Sequence, residues 1–219
     1  MINTVVFLRG CRNFFRVLLG LSVAYALNSK LMKCRTFFRT VFYMPTVTPL
    51  VAVAYVWMIM YNPQFGLIDK VLGIDINWLY DSRFALPALM AMTVWKDFGY
   101  AVILFLSGLM SLPSDCYESS EIDGANAWQT FRYITLPLLR PTMLFVVVTS
   151  IISYLQAYVP VLVMTKGGPG TSTYLSSYLV YDQAFKQYNF GYASAISMFI
   201  LLLTAVFTVI SFRVTGQEK

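Results

Sequence analysis

Catalytic chemistry has little support among the residues of this 219-residue chain. The sequence contains no histidine, the commonest general base and the commonest metal ligand in proteins. Cys11, Cys34 and Cys116 are too far apart for a C-x-x-C redox or metal motif, and we interpret them as incidental. No G-x-x-x-x-G-K-[ST] loop is present to cradle ATP phosphates. The sequence therefore predicts a protein that is not an enzyme, with no metal site and no cofactor of its own.

Lys96 and Asp97 are two adjacent charged residues inside a long apolar run. An ionisable side chain within lipid is costly and is a functional candidate by default. Adjacent positions of a helix point about 100° apart, so these two are not an obvious ion pair. A proton-coupled secondary transporter acting through Asp97 is therefore one alternative mechanism.

The composition is that of a membrane protein. Hydrophobic residues make up 58% of the chain and charged residues 12%, against roughly 45–50% and about 25% in soluble domains. A soluble fold could not hide so much apolar surface. The net charge of +6 comes from scattered basic residues, not from a basic face suited to nucleic acid. We predict an all-α, polytopic transmembrane helical bundle that forms one domain over residues 1–219.

Hydrophobic runs give the expected spans. A hydrocarbon core of about 30 Å requires roughly 20 apolar residues in a helix. Four runs meet this length, and a fifth run, 17–28, is too short alone, so we expect about five spans. The four long runs are 41–61, 84–112, 143–165 and 193–212.

The basic residues predict the orientation of these spans. Segment 29–40 holds Lys30, Lys33, Arg35 and Arg39, and segments rich in Lys and Arg stay in the cytoplasm. Alternation from that segment places 113–142 and 213–219 in the cytoplasm as well. Segments 62–83 and 166–192 are then expected outside the cell.

The amino-terminal segment admits three interpretations. Arg9, Arg12 and Arg16 share one face of a helix, and three arginines facing lipid would be costly. They could face protein or water inside the bundle, or residues 1–16 could lie at the membrane surface. Alternatively, residues 24–26 could be a signal-peptide cleavage site, although cleavage there would place the basic 29–40 segment outside. Whether residues 1–28 span the membrane stays open.

Segment 113–142 is the most informative part of the sequence. Asp115 and Glu118 have the spacing of an N-terminal capping box, and Gly124 can supply the left-handed residue that ends a helix. A second helix is predicted from the Asn126 and Gln129 capping pattern up to Pro137. Its apolar residues Trp128, Phe131 and Ile134 share one face, which must pack on the chain's own spans or in a partner's groove.

These residues closely resemble the EAA coupling loop of binding-protein-dependent ABC importer permeases, with consensus E-A-A-x-x-D-G-A followed by I-x-L-P. Ser119-Ser120 stands where the family usually has Ala-Ala. The resemblance implies that a separate ATPase docks on residues 115–137. The residues that match the motif are Glu118, Asp123, Gly124, Ala125, Ile134, Leu136, Pro137 and Pro141. The expected coupling residues are these without Pro141, together with Trp128 and Phe131 of the apolar face.

The resemblance extends over nearly the whole chain and is closest to sugar and polyol permeases of the maltose and glycerol-phosphate type. Residues 165–173 and 190–195 resemble external motifs typical of the first of two homologous permeases. The other matching positions are Arg39, Pro45, Trp57, Gly66, Trp95, Gly99, Tyr100, Leu109 and Pro113. Asn3-Thr4 resembles the start of the family's second span, so the first of its usual six spans is expected to be missing.

The resemblance implies the partners and the mechanism. A second homologous permease, two copies of a cytoplasmic ATPase that bind ATP and Mg²⁺, and an external solute-binding protein would complete the importer. The location would be the inner membrane of a bacterial or archaeal cell. A truncated paralogue that acts only in assembly is the other alternative, because of the missing span.

Side chains for a solute path are expected within span 143–165. A neutral solute needs hydrogen-bonding groups and aromatic faces along its path. Tyr154, Gln156 and Tyr158 interrupt this apolar run, and Tyr154 and Tyr158 are four residues apart on one helical face. These three residues are the candidates for the path.

Overall fold

A computed structural model describes residues 2–9, 12–28 and 34–216, and every regular element in those ranges is helical. Three short stretches, Phe131–Thr135, Val161–Thr165 and Asp182–Lys186, have π-helical winding. The α-helices are α1 Ile2–Arg9, α2 Arg12–Asn28, α3 Arg35–Val47, α4 Leu50–Met60, α5 Leu67–Leu72, α6 Ala85–Met110, α7 Ser114–Ile122, α8 Ala127–Thr130, α9 Leu136–Leu138, α10 Arg140–Leu155, α11 Ser176–Tyr181 and α12 Phe190–Gly216.

Two straight helices are long and apolar enough to cross a membrane. They are α6 and the Phe190–Ser211 part of α12, which agree with predicted spans 84–112 and 193–212. The 26 residues of α6 extend about 39 Å, more than the ~30 Å of a hydrocarbon core. Half of the most apolar stretch of α6 is buried, against 6% of that of α12. Helix α6 is therefore the central helix of the described bundle.

The predicted span 41–61 is not one straight helix, because two helices share it. Helices α3 and α4 meet at 95°, and Thr48, between them, has extended backbone with ψ 137°. Pro49 explains the bend, since proline pushes the preceding residue out of the helical region and offers no N–H. Helices α8 to α10 form a second bent pair, with an angle of 62°. The described residues thus provide two straight spans, or up to four if each bent pair is one span.

The predicted span 143–165 is also interrupted. Helix α10 ends at Leu155, and helical winding resumes only near Pro160. Residues 156–158 between them lie outside any helix. The run is apolar enough for a span, but its helix is interrupted at a segment that contains two of its polar residues, Gln156 and Tyr158.

Helix α2 packs along α6. A Cβ added to Gly20 would lie 2.8 Å from the Ala101 Cβ, so the two helices approach closely because both residues are small. Ala24 and Leu27 are fully buried in the cluster that contains Ala101, whereas Tyr25 and Ala26 of the candidate signal cleavage site are exposed. At 17 residues, α2 is longer than the predicted run 17–28 because it begins at Arg12. The side chains of Arg9 and Arg12, and residues 29–33 with Lys30 and Lys33, lie outside the described part.

Helices α1 and α2 together connect the two ends of the bundle. The Asn3 amide donates a hydrogen bond to the Thr171 carbonyl oxygen at 2.6 Å, and the neighbouring Pro169 and Gly170 lie beside the loop before α6. At the other end, beyond the C-terminus of α6, the Tyr25 ring contacts the Phe131 ring with centroids 4.9 Å apart. This arrangement favours a bundle-spanning amino-terminal segment over one lying on the membrane surface.

A polar layer lies midway along the bundle between two apolar clusters. One cluster contains Leu89 and Met92 from the first half of α6, and the other contains Ala101 and Phe105 from its second half. Between them, α6 presents Lys96, which is buried, and Tyr100, which is half-buried. We define the polar layer as two sets of contacting residues in this zone: Arg16 with Tyr100, Ser150 and Tyr154, and Lys96 with Thr46.

Candidate functional site

Residues 113–138 form a helical hairpin in which α7 packs against the segment from α8 to α9. Its first helix begins two residues earlier than expected. Helix α7 starts at Ser114 with Pro113 at the N-cap position, and no side chain caps it. The predicted Asp115 N-cap and its box with Glu118 are therefore wrong, because Pro113, with its fixed φ, already precedes the first turn. Asp115 instead lies in that first turn, where a carboxylate interacts favourably with the helix dipole.

Gly124 ends this helix as predicted. Its φ of +74° is left-handed, a conformation that glycine adopts without cost. The Ala125 N–H donates to the Ser120 carbonyl oxygen at 2.9 Å, and the Gly124 N–H to that of Glu121 at 3.1 Å. These two bonds are the Schellman pattern, which satisfies carbonyl groups at a helix end and sets the direction of the chain beyond it.

The second helix begins with the predicted capping box. The Gln129 N–H donates to Asn126 Oδ1 at 2.9 Å, and the Asn126 N–H donates to Gln129 Oε1 at 2.8 Å. Pro137 does not stop the helix, contrary to prediction, because it lies in the first turn of α9, where its missing N–H is tolerated. The helix bends at Leu139 and continues as α10, whose first turn contains Pro141.

Side-chain hydrogen bonds join the two helices of the hairpin. The hydroxyls of Tyr117 and Thr135 are 3.1 Å apart, and those of Ser120 and Thr130 are 3.4 Å apart. Ser120 also donates to the Tyr117 carbonyl oxygen at 2.8 Å. The buried Ser120, at a position where the resembling family usually has alanine, thus adds polar contacts between the helices. The hairpin is held as one rigid unit.

The predicted apolar stripe is divided between two faces. Trp128 is 70% exposed, whereas Phe131 and Ile134 are half-buried. Phe131 packs on the Tyr25 ring of α2, so the inward part of the stripe contacts the chain's own helices. Leu136 and Pro137 are also half-buried.

The exposed surface of the hairpin combines apolar and acidic groups. Ile122, Trp128 and Tyr133 are 87%, 70% and 74% exposed. The predicted residues Glu118, Asp123 and Gly124 are exposed beside them, and Ala125 is half-buried. Sequence reasoning missed Ile122 and Tyr133, although an apolar residue just before the Gly124 turn was a usable signal for Ile122.

Arg16 occupies the centre of the polar layer with 3% exposure. Its Nη1 donates to Ser150 Oγ at 2.9 Å and to the Tyr154 hydroxyl at 3.1 Å. The guanidinium carbon lies 5.8 Å and 5.5 Å from the centroids of the Tyr100 and Tyr154 rings. Arg16 therefore links α2 to α6 and α10, and it faces the interior, one of the alternatives that the sequence left open.

The three predicted path residues do not share a helical face. Tyr154 is 1% exposed and hydrogen-bonded to Arg16, while Gln156 is exposed at the end of α10. Tyr158 is 38% exposed and stacks on the Tyr181 ring, with centroids 5.7 Å apart and an interplanar angle of 18°. The four-residue spacing failed as a guide because the helix ends between the two tyrosines.

Lys96 fastens the bent helix α3 to α6. Its Nζ donates to the Thr46 carbonyl oxygen at 3.0 Å, and the Thr46 hydroxyl donates to the Lys96 carbonyl oxygen at 2.9 Å. A cation near the C-terminus of α3 also suits the helix dipole. Lys96 thus bonds Thr46 and forms no ion pair with the half-buried Asp97. Among the residues that the structure describes, no three His, Cys, Asp or Glu side chains form a metal site.

The segment predicted to be external has its own network. The hydroxyls of Thr165 and Thr173 are 2.7 Å apart, and Thr173 also donates to the Gly168 carbonyl oxygen at 2.7 Å. Further along, Asp182 pairs with Lys186 at 2.8 Å and accepts a hydrogen bond from the Tyr174 hydroxyl at 2.6 Å. These bonds, led by the one from Lys186, hold the pKa of Asp182 below its ordinary value.

We predict that the Asp182 contacts stabilise this segment at neutral pH and are lost in acid. A depressed folded-state pKa contributes stability above the unfolded value of about 3.9, and that stability disappears as pH falls through the folded pKa. Asp182→Asn should lower the unfolding temperature by about 2–4 °C at pH 7, and the difference from wild type should shrink as the pH falls below about 4 towards the depressed folded pKa. Thermal unfolding from pH 3 to 7 measures this, with exposed Asp75→Asn as control. A pH-independent difference would contradict the assignment.

Residues 16–215 match the family described as "Binding-protein-dependent transport system inner membrane component". The chain belongs to this family. The permease is 35% identical to a probable ABC transporter permease of Pyrococcus horikoshii, covering 93% of this chain and 72% of that protein. It is 36% identical to the trehalose/maltose transport system permease MalF of Thermococcus litoralis, covering 90% and 68%.

Solved structures show the same fold. A chain of a bacterial alginate ABC transporter, crystallised with a periplasmic protein that holds an alginate pentasaccharide, superposes with a TM-score of 0.87. The likeness covers 99% of the permease and 77% of that chain at 22% identity. The all-α transmembrane fold and the family expected from the hairpin motif are both confirmed, and the protein is a membrane component of an ABC importer.

Proposed function

We propose that the permease is the transmembrane subunit of an ATP-driven importer for a sugar or related polyol, and that a separate ATPase docks on the 113–138 hairpin. The observation that carries this proposal is a rigid hairpin that exposes Ile122, Trp128 and Tyr133 together. Large exposed apolar side chains on a stiff element are typical of a docking site for a partner. ATP and Mg²⁺ would bind to the ATPase.

The hairpin has two mechanical connections to the polar layer. Through the bend at Leu139 it continues into α10, which carries Ser150 and Tyr154. Through the contact between the Phe131 and Tyr25 rings it touches α2, which carries Arg16. Movement of the hairpin by a closing ATPase would therefore displace both helices that hold Arg16 and its partners. This is rigid-body coupling, and it requires the stiffness that the hairpin has.

The solute path in this proposal passes through the polar layer. Transporters commonly bind their substrates near the bilayer midplane, where interrupted helices gather polar groups. Tyr154 lies in this layer, and Gln156 and Tyr158 lie at the interruption just beyond it. The sugar class is supported by relatives such as the trehalose/maltose permease. A second permease would pack against this one, and an external binding protein would deliver the solute.

Tyr158→Leu is expected to weaken solute-stimulated ATP hydrolysis by the assembled complex. The substitution removes a half-exposed aromatic face beside Tyr181, and aromatic contacts of this kind correspond to about 2- to 10-fold in affinity. The half-saturating solute concentration measures the effect. Tyr55→Leu is the control, because Tyr55 is 58% exposed on α4, away from the proposed path. Unchanged solute kinetics in Tyr158→Leu would remove this residue from the path.

Uptake into proteoliposomes tests the proposed energy source. With the assembled complex, uptake should require ATP and persist when an ionophore removes the proton gradient. Uptake that runs on the gradient alone and is lost in Asp97→Asn would favour a proton-coupled transporter, since Asp97 lies half-buried at the middle of α6. Binding of the ATPase without any uptake would favour a protein that acts only in assembly.

A further inference from the structure

Arg16 carries a buried positive charge that lacks an acidic partner. Nine of the ten acidic residues of the chain, all except Glu218, lie in the described part, and none of these nine forms an ion pair with Arg16. The hydrogen bonds of the guanidinium go to the neutral hydroxyls of Ser150 and Tyr154. Its Nε is buried without a hydrogen-bond partner among the described residues.

These contacts compensate only part of the free-energy cost of burying the Arg16 charge. A buried cation is tolerated when an opposite charge compensates it and all its donors are satisfied. The faces of Tyr100 and Tyr154 supply cation–π attraction, which is weaker than a paired anion. Because an arginine cannot lose its proton inside a protein, it cannot escape the cost by becoming neutral. An anion bound at Arg16 would therefore compensate the buried charge.

Lys96, the other buried cation of the polar layer, shows the contrast. Its ammonium group donates to the Thr46 carbonyl oxygen at the end of α3, so the backbone already supplies an acceptor with partial negative charge. A guanidinium also differs from an ammonium in presenting a planar fork of donors that matches carboxylate and phosphate oxygens. The polar layer thus contains one cation with a structural role and one with unused capacity to bind an anion.

We propose that Arg16 determines specificity for a saccharide that bears an anionic group, such as the carboxylate of a uronic acid or a phosphate ester. This inference rests on the proposed function, since it requires a solute to cross the polar layer. A carboxylate of a second subunit packed outside the bundle would not reach Arg16, because the chain's own helices enclose it to 3% exposure. A solute path, in contrast, opens between these helices as they move.

The test uses the assembled complex, with its ATPase and binding protein, in proteoliposomes. The probes are uronate and phosphorylated disaccharides, each paired with its neutral counterpart, the carboxyl-reduced or dephosphorylated sugar. Arg16→Gln removes the charge, Arg16→Lys keeps the charge but loses the fork, and Arg83→Gln removes the same charge from an exposed loop residue. The half-saturating concentration for stimulated ATP hydrolysis is measured for each pair, and the unfolding temperature of each variant is recorded.

We expect an acidic probe to stimulate wild type better than its neutral counterpart. Arg16→Gln should raise the half-saturating concentration for the acidic probe about 10- to 100-fold and leave the neutral one unchanged. Arg16→Lys should fall between, and Arg83→Gln should match wild type. A response to the uronate probe would show that the site recognises a carboxylate, and a response to the phosphorylated probe that it recognises a phosphate.

Three results would overturn the inference. The first is stimulation by neutral probes only, which would leave the proposed importer function standing. The second is an equal loss for both members of a pair in Arg16→Gln, which would indicate a structural role. The third is loss of the second permease from the Arg16→Gln complex, which would indicate that a subunit supplies the anion. Absence of stimulation by every probe, acidic and neutral, would count against the proposed function itself.

Discussion

Gly99→Ala is expected to lower the unfolding temperature of the detergent-solubilised permease by about 6–12 °C. A Cβ at this position would lie 2.8 Å from the carbonyl carbon of Phe42 and closer still to its oxygen. The obstacle is backbone, so no side chain can rotate away to relieve it. Overpacking typically costs 1–3 kcal/mol, and the expected shift corresponds to the upper end of that range in a chain of this size.

Gly191→Ala is the matched control for this prediction. It is a helical glycine too, but a Cβ there meets no atom within 4 Å, so its unfolding temperature should stay close to wild type. Because the Phe42 contact lies next to the Lys96–Thr46 hydrogen bonds, a misplaced α3 should also impair ATP-driven uptake. A Gly99→Ala permease as stable as Gly191→Ala would show that α3 does not dock on α6 as described.

Trp128→Ala is expected to reduce the affinity of the permease for its ATPase by about 30-fold or more. An exposed tryptophan on a rigid element is the kind of residue that dominates binding energy, with losses of at least 2 kcal/mol on truncation. Trp128 is 70% exposed and touches the Phe131 ring at a centroid distance of 5.9 Å. The ATP hydrolysis that the solute stimulates should fall with the affinity.

Tyr80→Ala provides the control on the opposite side of the bundle. Tyr80 is 75% exposed in the loop before α6, so it matches Trp128 in exposure and differs in location. Titration of the purified ATPase against each variant, followed by light scattering or fluorescence, gives the two affinities. Equal affinities for Trp128→Ala and wild type would move the docking surface away from this face of the hairpin.

Local signals predicted the hairpin well because each depends on residues close in sequence. The Gly124 turn and the Asn126–Gln129 capping box are closed by hydrogen bonds spanning three to five residues, and a sequence displays both partners of such bonds side by side. The Asp115 cap failed for an equally local reason. Pro113 could start the helix two residues earlier, and two competing local signals were not weighed against each other.

Hydropathy predicted where the apolar segments lie but not how they bend. A hydropathy window reports composition only, so it did not reveal the 95° bend between α3 and α4. Pro49 was a sequence signal for that bend. Periodicity likewise placed Trp128 with Phe131 and Ile134 on one apolar face, but Trp128 is 70% exposed while the other two are half-buried. The sequence does not show which part of such a face is covered by a helix distant in the chain, as Phe131 is by Tyr25 of α2.

The polar layer could not be predicted from the sequence, because its residues lie far apart along the chain. Arg16 was recognisable as a costly charge in an apolar chain, but its partner Ser150 lies 134 residues away. Only the packing of α2 and α10 beside α6 brings them together. Similarly, the pairing of Lys96 with Thr46 spans 50 residues.

Affinity purification of the tagged permease from its native membranes in mild detergent is the most direct test of the central claim. Every co-purifying protein is identified, for wild type and for Trp128→Ala. The account predicts an ATPase, a second permease and a solute-binding protein with wild type, and selective loss of the ATPase with Trp128→Ala. Recovery of the wild-type chain without any ATPase would contradict the claim that the hairpin couples this permease to ATP hydrolysis.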